Sequence, residues 1–411
     1  MIHPKNIFFI LCFFSHLSHA QFSFNEFLSQ AKNDVRLYEH AQKSKFLEKN
    51  PYKSPWIQRT EIRLRTNDLN ISADDYRFRI NPTNPFEIRA NRMYYQMEFE
   101  LLFSEYQRAL NAALNERYQL VLEFLEGAEM HTLKNKQIDL ISDEIRLLNA
   151  QTGDPNFSLI EYLEAKENLL QAHLESNEIY HKNELIKIEI ETKYEFDGNI
   201  QPEDIDLVEL PTLKKWMNTL LLDFDTTGNI LVESLSQENL LTEQRIKLEK
   251  AEDRRNIGFV QAEYDRYRGN EVEEHLGFQV GIRIPLTNPD RPDMNRSKID
   301  LIEDQANLEE RKAEVSLQGQ LIRVKFNYLF SQYETLSNEI KESDFLEMIS
   351  QSPELDPMDL LKTQRSLLRL QRLGTQLKWE IYKSYIDYLY FSGKLIESPL
   401  KNYLSANLSE I

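Results

Sequence analysis

The chain has 411 residues and a formal net charge of −18, because 67 acidic residues outnumber 49 basic ones. A surface of this sign repels phosphate backbones, which excludes a typical nucleic-acid-binding protein. Apolar residues make up 41% and glycine occurs only 11 times, so we expect a mainly helical chain without a transmembrane helix, which needs ~20 apolar residues in succession.

The first 20 residues have the pattern of a secretory signal peptide. Lys5 precedes an apolar run at 7–14, and small residues precede a predicted cleavage after Ala20. The only cysteine, Cys12, lies inside this segment. The mature chain is therefore expected to contain neither a disulfide nor a thiolate metal site.

Four elements are predicted in the first half. Residues 22–50 favour a helix, and alternating apolar residues predict a β-hairpin at about 57–81. From 86 to about 150, apolar residues recur every three or four positions, as in a coiled coil. A helix of this length would extend about 90 Å at ~1.5 Å per residue and must pack along a partner. The turn Gly153-Asp154-Pro155 predicts the reversal, with Asp154 as N-cap of a return helix ending near 196.

The second half repeats this plan. Arg79, Asn84 and Pro85 recur as Arg283, Asn288 and Pro289 at a constant offset of 204. In both copies the Asn-Pro pair marks a predicted strand-to-helix transition, with asparagine as N-cap and proline at the first helical position. The sequence therefore predicts two tandem repeats, 21–205 and 206–411. The second contains a helix starting near Leu210, a hairpin at about 257–285, a long helix, a return helix opened by Asp356-Pro357 and a short tail.

The second hairpin has one regular strand and one irregular strand. Phe278, Val280 and Ile282 are expected on one face of its last strand, with polar residues and glycine on the other. The preceding strand alternates only at Ile257 and Phe259, after which the acidic residues Glu263 and Asp265 interrupt the pattern.

Four segments resemble a known family. They are Leu-Glu-Lys-Ala-Glu at 248–252, Gly-Phe-Gln-Val-Gly-Ile-Arg-Ile-Pro-Leu at 277–286, Asp-Leu-Leu-Lys-Thr-Gln-Arg-Ser-Leu-Leu at 359–368, and Tyr-Ile-Asp-Tyr-Leu-Tyr-Phe-Ser-Gly-Lys-Leu at 385–395. With the duplicated element order, they make the chain similar to the TolC family of outer-membrane efflux channels over nearly the whole mature chain.

This resemblance implies a homotrimer in which each chain gives two hairpins to one 12-stranded outer-membrane β-barrel. The antiparallel coiled-coil helices would form a periplasmic tunnel, joined to an inner-membrane transporter by a periplasmic adaptor. The function implied is a passive exit duct of a tripartite efflux or type I secretion system. The alternative is a soluble periplasmic coiled-coil scaffold that lacks a working barrel.

Acidic residues near the predicted helix turns are candidates for the periplasmic tip or gate. Three converging chains would bring Asp143, Glu144, Glu342 and Asp344 into a ring that attracts cations, or into an adaptor-binding surface. The alternative is that these acidic residues only form solvated faces of the coiled-coil helices.

Arginines opposite the apolar strand faces are candidates for the barrel lumen. These are Arg63, Arg65, Arg77, Arg79 and Arg283. In a barrel they would favour anionic or amphipathic cargo. The alternative is that they only balance Glu61 and the other acidic residues.

Enzymatic functions find no support in local motifs. The sequence has no zinc-protease helix motif, phosphate-binding loop or paired-cysteine site. His173 and His181 lie eight residues apart without a specified third ligand, so a surface pair is expected rather than a metal site. We therefore expect no catalysis and no cofactor.

Overall fold

The chain is mainly α-helical with one four-stranded antiparallel sheet. The computed structural model describes residues 23–53, 55–65, 75–153, 157–196, 200–202, 205–222, 229–253, 257–268, 272–282, 291–342, 356–406 and 408. The helices are α1 (Phe24–Ser29), α2 (Val35–Lys49), α3 (Pro85–Ala150), α4 (Leu159–Lys193), α5 (Leu210–Leu222), α6 (Ile230–Asp253), α7 (Arg291–Glu342) and α8 (Pro357–Ser392). The strands are β1 (Ile57–Arg65), β2 (Asp75–Pro82), β3 (Ile257–Arg268) and β4 (Val272–Ile282).

The predicted mainly helical fold with two β-hairpins is confirmed, while the predicted signal peptide lies outside the described residues. Among the helices that are described, none combines the length and the apolar character needed to cross a bilayer.

The chain divides into two compact units, each of which draws on both predicted repeats. The helical unit comprises Met1–Asp34, Leu110–Phe224 and Gln318–Ile411, and the sheet unit comprises Val35–Ala109 and Asp225–Leu317. Helices α1, α4, α5 and α8 belong to the helical unit. Helices α2 and α6 and all four strands belong to the sheet unit, and α3 and α7 contribute a part to each.

Predicted helix extents were wrong in three places. The one helix expected from Leu210 to the second hairpin is two helices, α5 and α6, and Asn229 lies before α6, where its side-chain oxygen accepts from the Leu231 amide at 2.9 Å. The single helix expected at 22–50 is broken by a 3₁₀ turn at Gln30–Asn33 and by Asp34, whose backbone is extended. Helix α4 begins at Leu159, where the hydroxyl of Ser158 accepts a hydrogen bond from the Glu161 amide at 3.3 Å. Asp154 is therefore not its N-cap, because a serine four residues later satisfies the first free amides.

The core of the helical unit lies where α3, α4 and α8 run side by side. Ile141 and Ile145 of α3 are buried against Ala165 and Ala172 of α4, with Met358 of α8 packed on the same cluster. The small alanine side chains let α4 approach α3 closely, and burying each isoleucine stabilises the unit by about 1.5–3 kcal/mol.

The predicted C-terminal tail packs on Tyr118 of α3. The Tyr118 hydroxyl donates to the Lys401 carbonyl at 3.1 Å and accepts from the Tyr403 amide at 3.0 Å. Leu404 is fully buried. The tail therefore completes the helical unit's core.

The sheet has the order β1-β2-β3-β4, with every neighbouring pair antiparallel. The pairing of β2 with β3 joins the two hairpins, placing Phe78 opposite Ala262. Strands β1 and β4 are the two edges of this sheet.

Candidate functional site

One face of the sheet is an exposed apolar surface. Three rows of side chains cross it: Ile80–Val260–Val280, Ile62–Phe78–Ala262–Phe278 and Leu64–Tyr76–Tyr264–Leu276. Phe278 is 77% exposed and Ile62 is 71% exposed. Rows lie about 7 Å apart, because each strand residue advances ~3.4 Å and alternate residues share a face. An exposed apolar surface this large is typical of contact with lipid or protein.

A register irregularity in β3 changes the predicted alternation. It lies between Ile257 and Phe259 and transfers Phe259 to the polar face. There the phenyl ring lies against Gly281, where a Cβ atom would come within 2.3 Å of the ring. Glycine is required at this position because the aromatic ring fills the space of its side chain.

Ile257, paired with Ile282, lies on the apolar face as predicted, and beyond the irregularity that face of β3 is formed by Val260, Ala262 and Tyr264. The predictions that Phe259 continues this face and that acidic residues interrupt it were wrong. The bulge shifts the strand by one position and sends Glu263 and Asp265 to the polar face.

The polar face carries the predicted arginines. Arg63, Arg65, Arg77 and Arg79 all lie on it. Arg77 Nε is 2.6 Å from a Glu263 carboxylate oxygen and Arg77 Nη2 is 3.0 Å from an Asp75 oxygen. Arg283 lies outside the described residues.

Arg63 and Arg79 have other partners on this face. Arg63 pairs with Glu61 of the same strand at 3.1 Å. Arg79 donates to the Gln261 amide oxygen at 2.9 Å and lies 4.1 Å from the centre of the Phe259 ring. Arg63 and Arg77 therefore balance local carboxylates on this polar face, and the place of the arginines in a barrel lumen stays a prediction.

Three carboxylates on this face lie close together. Oxygens of Asp75, Glu263 and Asp265 are all within 4.8 Å of one another, a spacing that a metal ion could bridge. The Arg77 guanidinium already supplies a positive charge to two of them. The arrangement is therefore a charge cluster that Arg77 compensates in part.

The strand-to-helix transition of the first copy is formed by Asn84 and Pro85. The Asn84 side-chain oxygen accepts from the Phe86 amide at 3.0 Å, and its amide group donates to the Ala251 carbonyl at 3.1 Å. Pro85 is the first residue of α3. Asn84 thus caps α3 and attaches it to the end of α6, while Asn288 and Pro289 lie outside the described residues.

The acidic tip candidates have different surroundings. Asp143 forms an ion pair with the exposed Arg146 one turn away. Glu144 is mostly buried and accepts from Arg365 of α8 at 2.5 Å. Glu342 is the last residue of α7, its side chain is not among those described, and Asp344 lies outside the described residues.

Cationic residues of α8 were missed by the sequence reasoning. Lys362, Arg365, Arg369 and Arg372 line a groove between α3 and α8. Their spacing of three and four residues was visible in the sequence and places them along one side of a helix. Arg365 has a partner 221 residues away, so sequence spacing alone could not separate the paired cation from the others.

The half-buried Asp387 of α8 and the largely exposed Glu238 of α6 have perturbed ionisation. Burial raises the pKa of Asp387, against the lowering effect of Lys325, and its oxygen accepts from the Gln119 amide at 3.0 Å. In the sheet unit, burial also raises the pKa of Glu238, reinforced by the nearby negative charge of Asp304.

No known family model matches the chain, and no curated protein matches it in sequence. Solved structures do match its fold. The Neisseria gonorrhoeae MtrE outer membrane channel in its open state has a TM-score of 0.63 and 12% identity, covering 90% of this chain and 88% of that chain.

Two further structures agree with this comparison. The Vibrio cholerae outer membrane protein VceC has a TM-score of 0.62 and 11% identity over 90% of this chain and 96% of that one. The Campylobacter jejuni CmeC outer membrane channel has a TM-score of 0.60 and 11% identity over 90% and 85%. The predicted resemblance is therefore confirmed at the level of the fold: this chain has the fold of the TolC-like outer-membrane channels.

Proposed function

We propose that this chain is the outer-membrane exit duct of a tripartite efflux or type I secretion system. Three copies place twelve strands in one outer-membrane β-barrel, and their long helices form a tunnel in the periplasm. A periplasmic adaptor connects this tunnel to an inner-membrane transporter, which supplies the energy. The duct itself is a passive conduit.

The observation that carries this proposal is the sheet. Its four strands are too few to close a barrel, and β1 and β4 are open edges among the described strands. Copies joined edge to edge would pair β4 of one chain with β1 of the next. The exposed row through Ile62 and Phe278 would then face lipid, and the row through Arg63 and Arg77 would face the lumen.

Strand dimensions support insertion in a bilayer. The strands contain 9, 8, 12 and 11 residues, close to the ~9–11 residues of a transmembrane strand. Tyr76 and Tyr264 form a ring contact at 6.1 Å in the outermost apolar row. Aromatic residues at this position are typical of the membrane–water interface.

Exposed apolar residues on α7 support assembly of the helices. Leu321, Val324 and Tyr328 are each more than half exposed and follow the three-and-four spacing of a coiled-coil seam. A single chain leaves this seam exposed to solvent. Neighbouring chains would bury it inside a wall of helices.

The proposal assigns the candidate arginines to the barrel lumen and the candidate acidic residues to the periplasmic tip. Arg63, Arg65, Arg77 and Arg79 line the barrel lumen, where those arginines that no carboxylate neutralises would favour anionic or amphipathic cargo. Arg283, which follows the last residue of β4 in the sequence and is not described, stays a predicted lumen residue. The acidic residues Asp143, Glu342 and Asp344 are assigned to the periplasmic tip, where they would act on cation entry or adaptor contact, whereas Glu144 contributes there through its ion pair with Arg365.

We also propose that the chain arose by tandem duplication. Each predicted repeat supplies one hairpin, one long helix and one return helix. The repeat boundary near residue 205 falls before α5, so both repeats begin with helices that lead into a hairpin.

The test begins with expression of the full chain, including its predicted signal peptide, and recovery of the mature protein from cell fractions. A duct should sediment with the outer membrane, behave as a heat-sensitive trimer in detergent and give ion conductance in a planar bilayer. Release as a monomer by osmotic shock, without conductance, would instead establish the soluble periplasmic scaffold.

A further inference from the structure

We propose that a patch of cationic and aromatic side chains at the start of α3 binds the headgroup of an anionic phospholipid. The patch lies in the sheet unit and consists of Lys53, Trp56, Phe86, Arg89 and Arg92. This inference rests on the proposed function, since it requires the sheet to be inserted in the outer membrane.

The segment before β1 runs antiparallel to the first turns of α3, which brings the patch together. Next to the sheet, the Thr83 amide donates to the Trp56 carbonyl at 2.9 Å. About three turns further along α3, the rings of Tyr52 and Tyr95 stack with 4.4 Å between their centres. Lys53 and Trp56 therefore lie beside the first turns of this helix.

The two aromatic side chains of the patch are largely exposed. Trp56 is 77% exposed and Phe86 is 68% exposed. The lumen of an outer-membrane barrel is polar, so exposed rings of this size fit the lipid side of the wall. Tryptophan in particular is enriched where the hydrocarbon of a bilayer meets water.

The three cations of the patch are exposed. Among the residues that the structure describes, no carboxylate lies at ion-pair distance from Lys53, Arg89 or Arg92. The one carboxylate in the first three turns of α3 is Glu87, which is 4% exposed and accepts from the Gln58 amide at 3.0 Å. The patch thus presents three positive charges without a counter-charge, in a protein whose net charge is −18.

These cations lie at the level of lipid headgroups when the apolar face of β2 contacts hydrocarbon. Strand β2 ends at Pro82 and α3 begins at Pro85. At ~1.5 Å per residue, Arg89 and Arg92 lie about 6 and 10 Å along the helix from Pro85. The polar layer on each side of the hydrocarbon is about 5–8 Å thick, and a long arginine side chain can extend back into it. Guanidinium groups match phosphate oxygens in geometry and charge, and basic clusters beside a membrane attract anionic lipids.

The second repeat lacks such a patch, although its long helix follows a strand in the same way. At the constant offset of 204, Phe86 and Arg89 correspond to Asp290 and Asp293. Two carboxylates at this level would repel an anionic headgroup. We therefore expect one lipid site per chain, and three around the trimer.

Fluorescence quenching tests whether Trp56 contacts lipid. The trimer is reconstituted in vesicles whose phosphatidylglycerol carries bromine near the headgroup end of its acyl chains, because bromine quenches indole fluorescence at short range. The other two tryptophans, Trp216 and Trp379, belong to the helical unit. The parent should be quenched, and Trp56→Phe should lose this quenching.

The same vesicles measure headgroup preference. Brominated phosphatidylglycerol is compared with brominated phosphatidylcholine, which has no net charge, at equal mole fraction. The parent should prefer phosphatidylglycerol at least about fivefold, the effect of one cation near an anionic surface. The triple variant Lys53→Gln/Arg89→Gln/Arg92→Gln should lose this preference.

A matched control removes three exposed cations of the helical unit. This variant, Lys136→Gln/Lys215→Gln/Arg323→Gln, changes the net charge equally and should retain the preference. High salt tests the same point without any substitution. Raising the ionic strength from about 0.1 M to about 1 M shortens the Debye length from ~10 to ~3 Å, so the parent should lose its preference while Trp56 remains quenched.

The outcomes separate this inference from the proposed function. A trimer that conducts ions while Trp56 is not quenched, or that shows no preference for phosphatidylglycerol, overturns the lipid site and leaves the duct intact. A preference that survives both the triple substitution and high salt also overturns it. A protein that remains a soluble monomer and does not enter vesicles overturns both.

Discussion

Arg117 and Asp34 form an ion pair inside the helical unit, with 2.9 Å between Nη1 and Oδ2 and only 2% and 7% of their side chains exposed. Arg117 also lies 4.4 Å from the centre of the Tyr194 ring and donates to the Ala113 carbonyl at 3.3 Å. The pair attaches the extended residue after α1 to the middle of α3. A buried pair of this kind is costly to break, because the remaining charge stays buried without a partner.

Asp34→Asn should therefore lower the free energy of unfolding by about 3–5 kcal/mol. Urea unfolding of the detergent-solubilised protein, followed by far-UV circular dichroism, measures the change. Replacement of both partners by Asp34→Leu/Arg117→Met should cost less than the single change. As a control, Asp143→Asn, whose partner Arg146 is exposed, should alter stability by less than about 1 kcal/mol.

The close contact between α3 and α4 at Gly127 gives a second prediction. A Cβ on Gly127 of α3 would lie 1.9 Å from the side-chain oxygen of Asn183 on α4. Asn183 donates to the Phe124 carbonyl at 3.4 Å, so it cannot withdraw without loss. Gly127→Ala should destabilise the protein by about 1–3 kcal/mol through overpacking, and adding Asn183→Ala should recover part of this loss.

Gly374 of α8 supplies the matched control. Its nearest neighbour would be a Leu336 methyl at 3.5 Å, an ordinary contact. Gly374→Ala should therefore stabilise the helix by up to about 1 kcal/mol, the intrinsic preference for alanine. Opposite signs for the two substitutions in thermal unfolding would support the close approach of α4 to Gly127, and a gain at both positions would contradict it.

Local features of the fold could be read from the sequence. The alternation in β4 and the Asn84-Pro85 helix start depend on neighbouring residues, and the structure places both as the sequence indicates. The bulge at Phe259 could not be predicted, because it arises from the packing of that ring on Gly281 of the next strand. A pattern of period two carries no information on where a strand shifts register.

Contacts between residues far apart in the chain could not be predicted from the sequence either. Glu144 was expected as an exposed tip residue, yet Arg365 neutralises it in a partly buried position. The N-cap of α4 has the same character, since serine and aspartate both suit that position and only the structure identifies Ser158. Spacing thus predicted the long helices α3, α4, α7 and α8, while the breaks in the shorter helices and the partner choice between helices required the structure.

The half-buried carboxylate of Asp387 predicts a pH dependence of stability. Burial raises its pKa in the folded state above the ordinary value, so the protonated form is favoured by folding. Its stabilising contribution is fully present below the unfolded pKa, ~3.9, and is lost as the pH rises through the folded pKa. Asp387→Asn keeps an acceptor for Gln119 and should raise the thermal midpoint at pH 7 by a few degrees.

The advantage of Asp387→Asn over the parent should shrink as the pH is lowered from 7 towards 4, where the parent carboxyl becomes protonated. Asp139→Asn, at an exposed position of α3, serves as control and should show no such trend. An unchanged difference across this pH range would mean that the Asp387 carboxyl is not the group responsible.

The two faces of β4 predict opposite responses to one added charge. Phe278 lies in the central apolar row and Gln279 lies on the polar face. Phe278→Arg should oppose membrane insertion by about 2–4 kcal/mol, the cost of an arginine on the lipid face of a barrel near the bilayer midplane. Gln279→Arg adds the same charge one residue away and should insert normally, because that face is already polar.

The measurement is the fraction of each variant recovered as a heat-sensitive trimer in the outer membrane, with total expression determined by immunoblotting. Phe278→Arg should lose at least about nine-tenths of the trimer, since each ~1.4 kcal/mol is a tenfold change in an equilibrium, whereas Gln279→Arg should match the parent. Loss in both variants would indicate that the strand tolerates no added charge on either face. Loss only in Gln279→Arg would place lipid against the arginine face and reverse the orientation of the sheet.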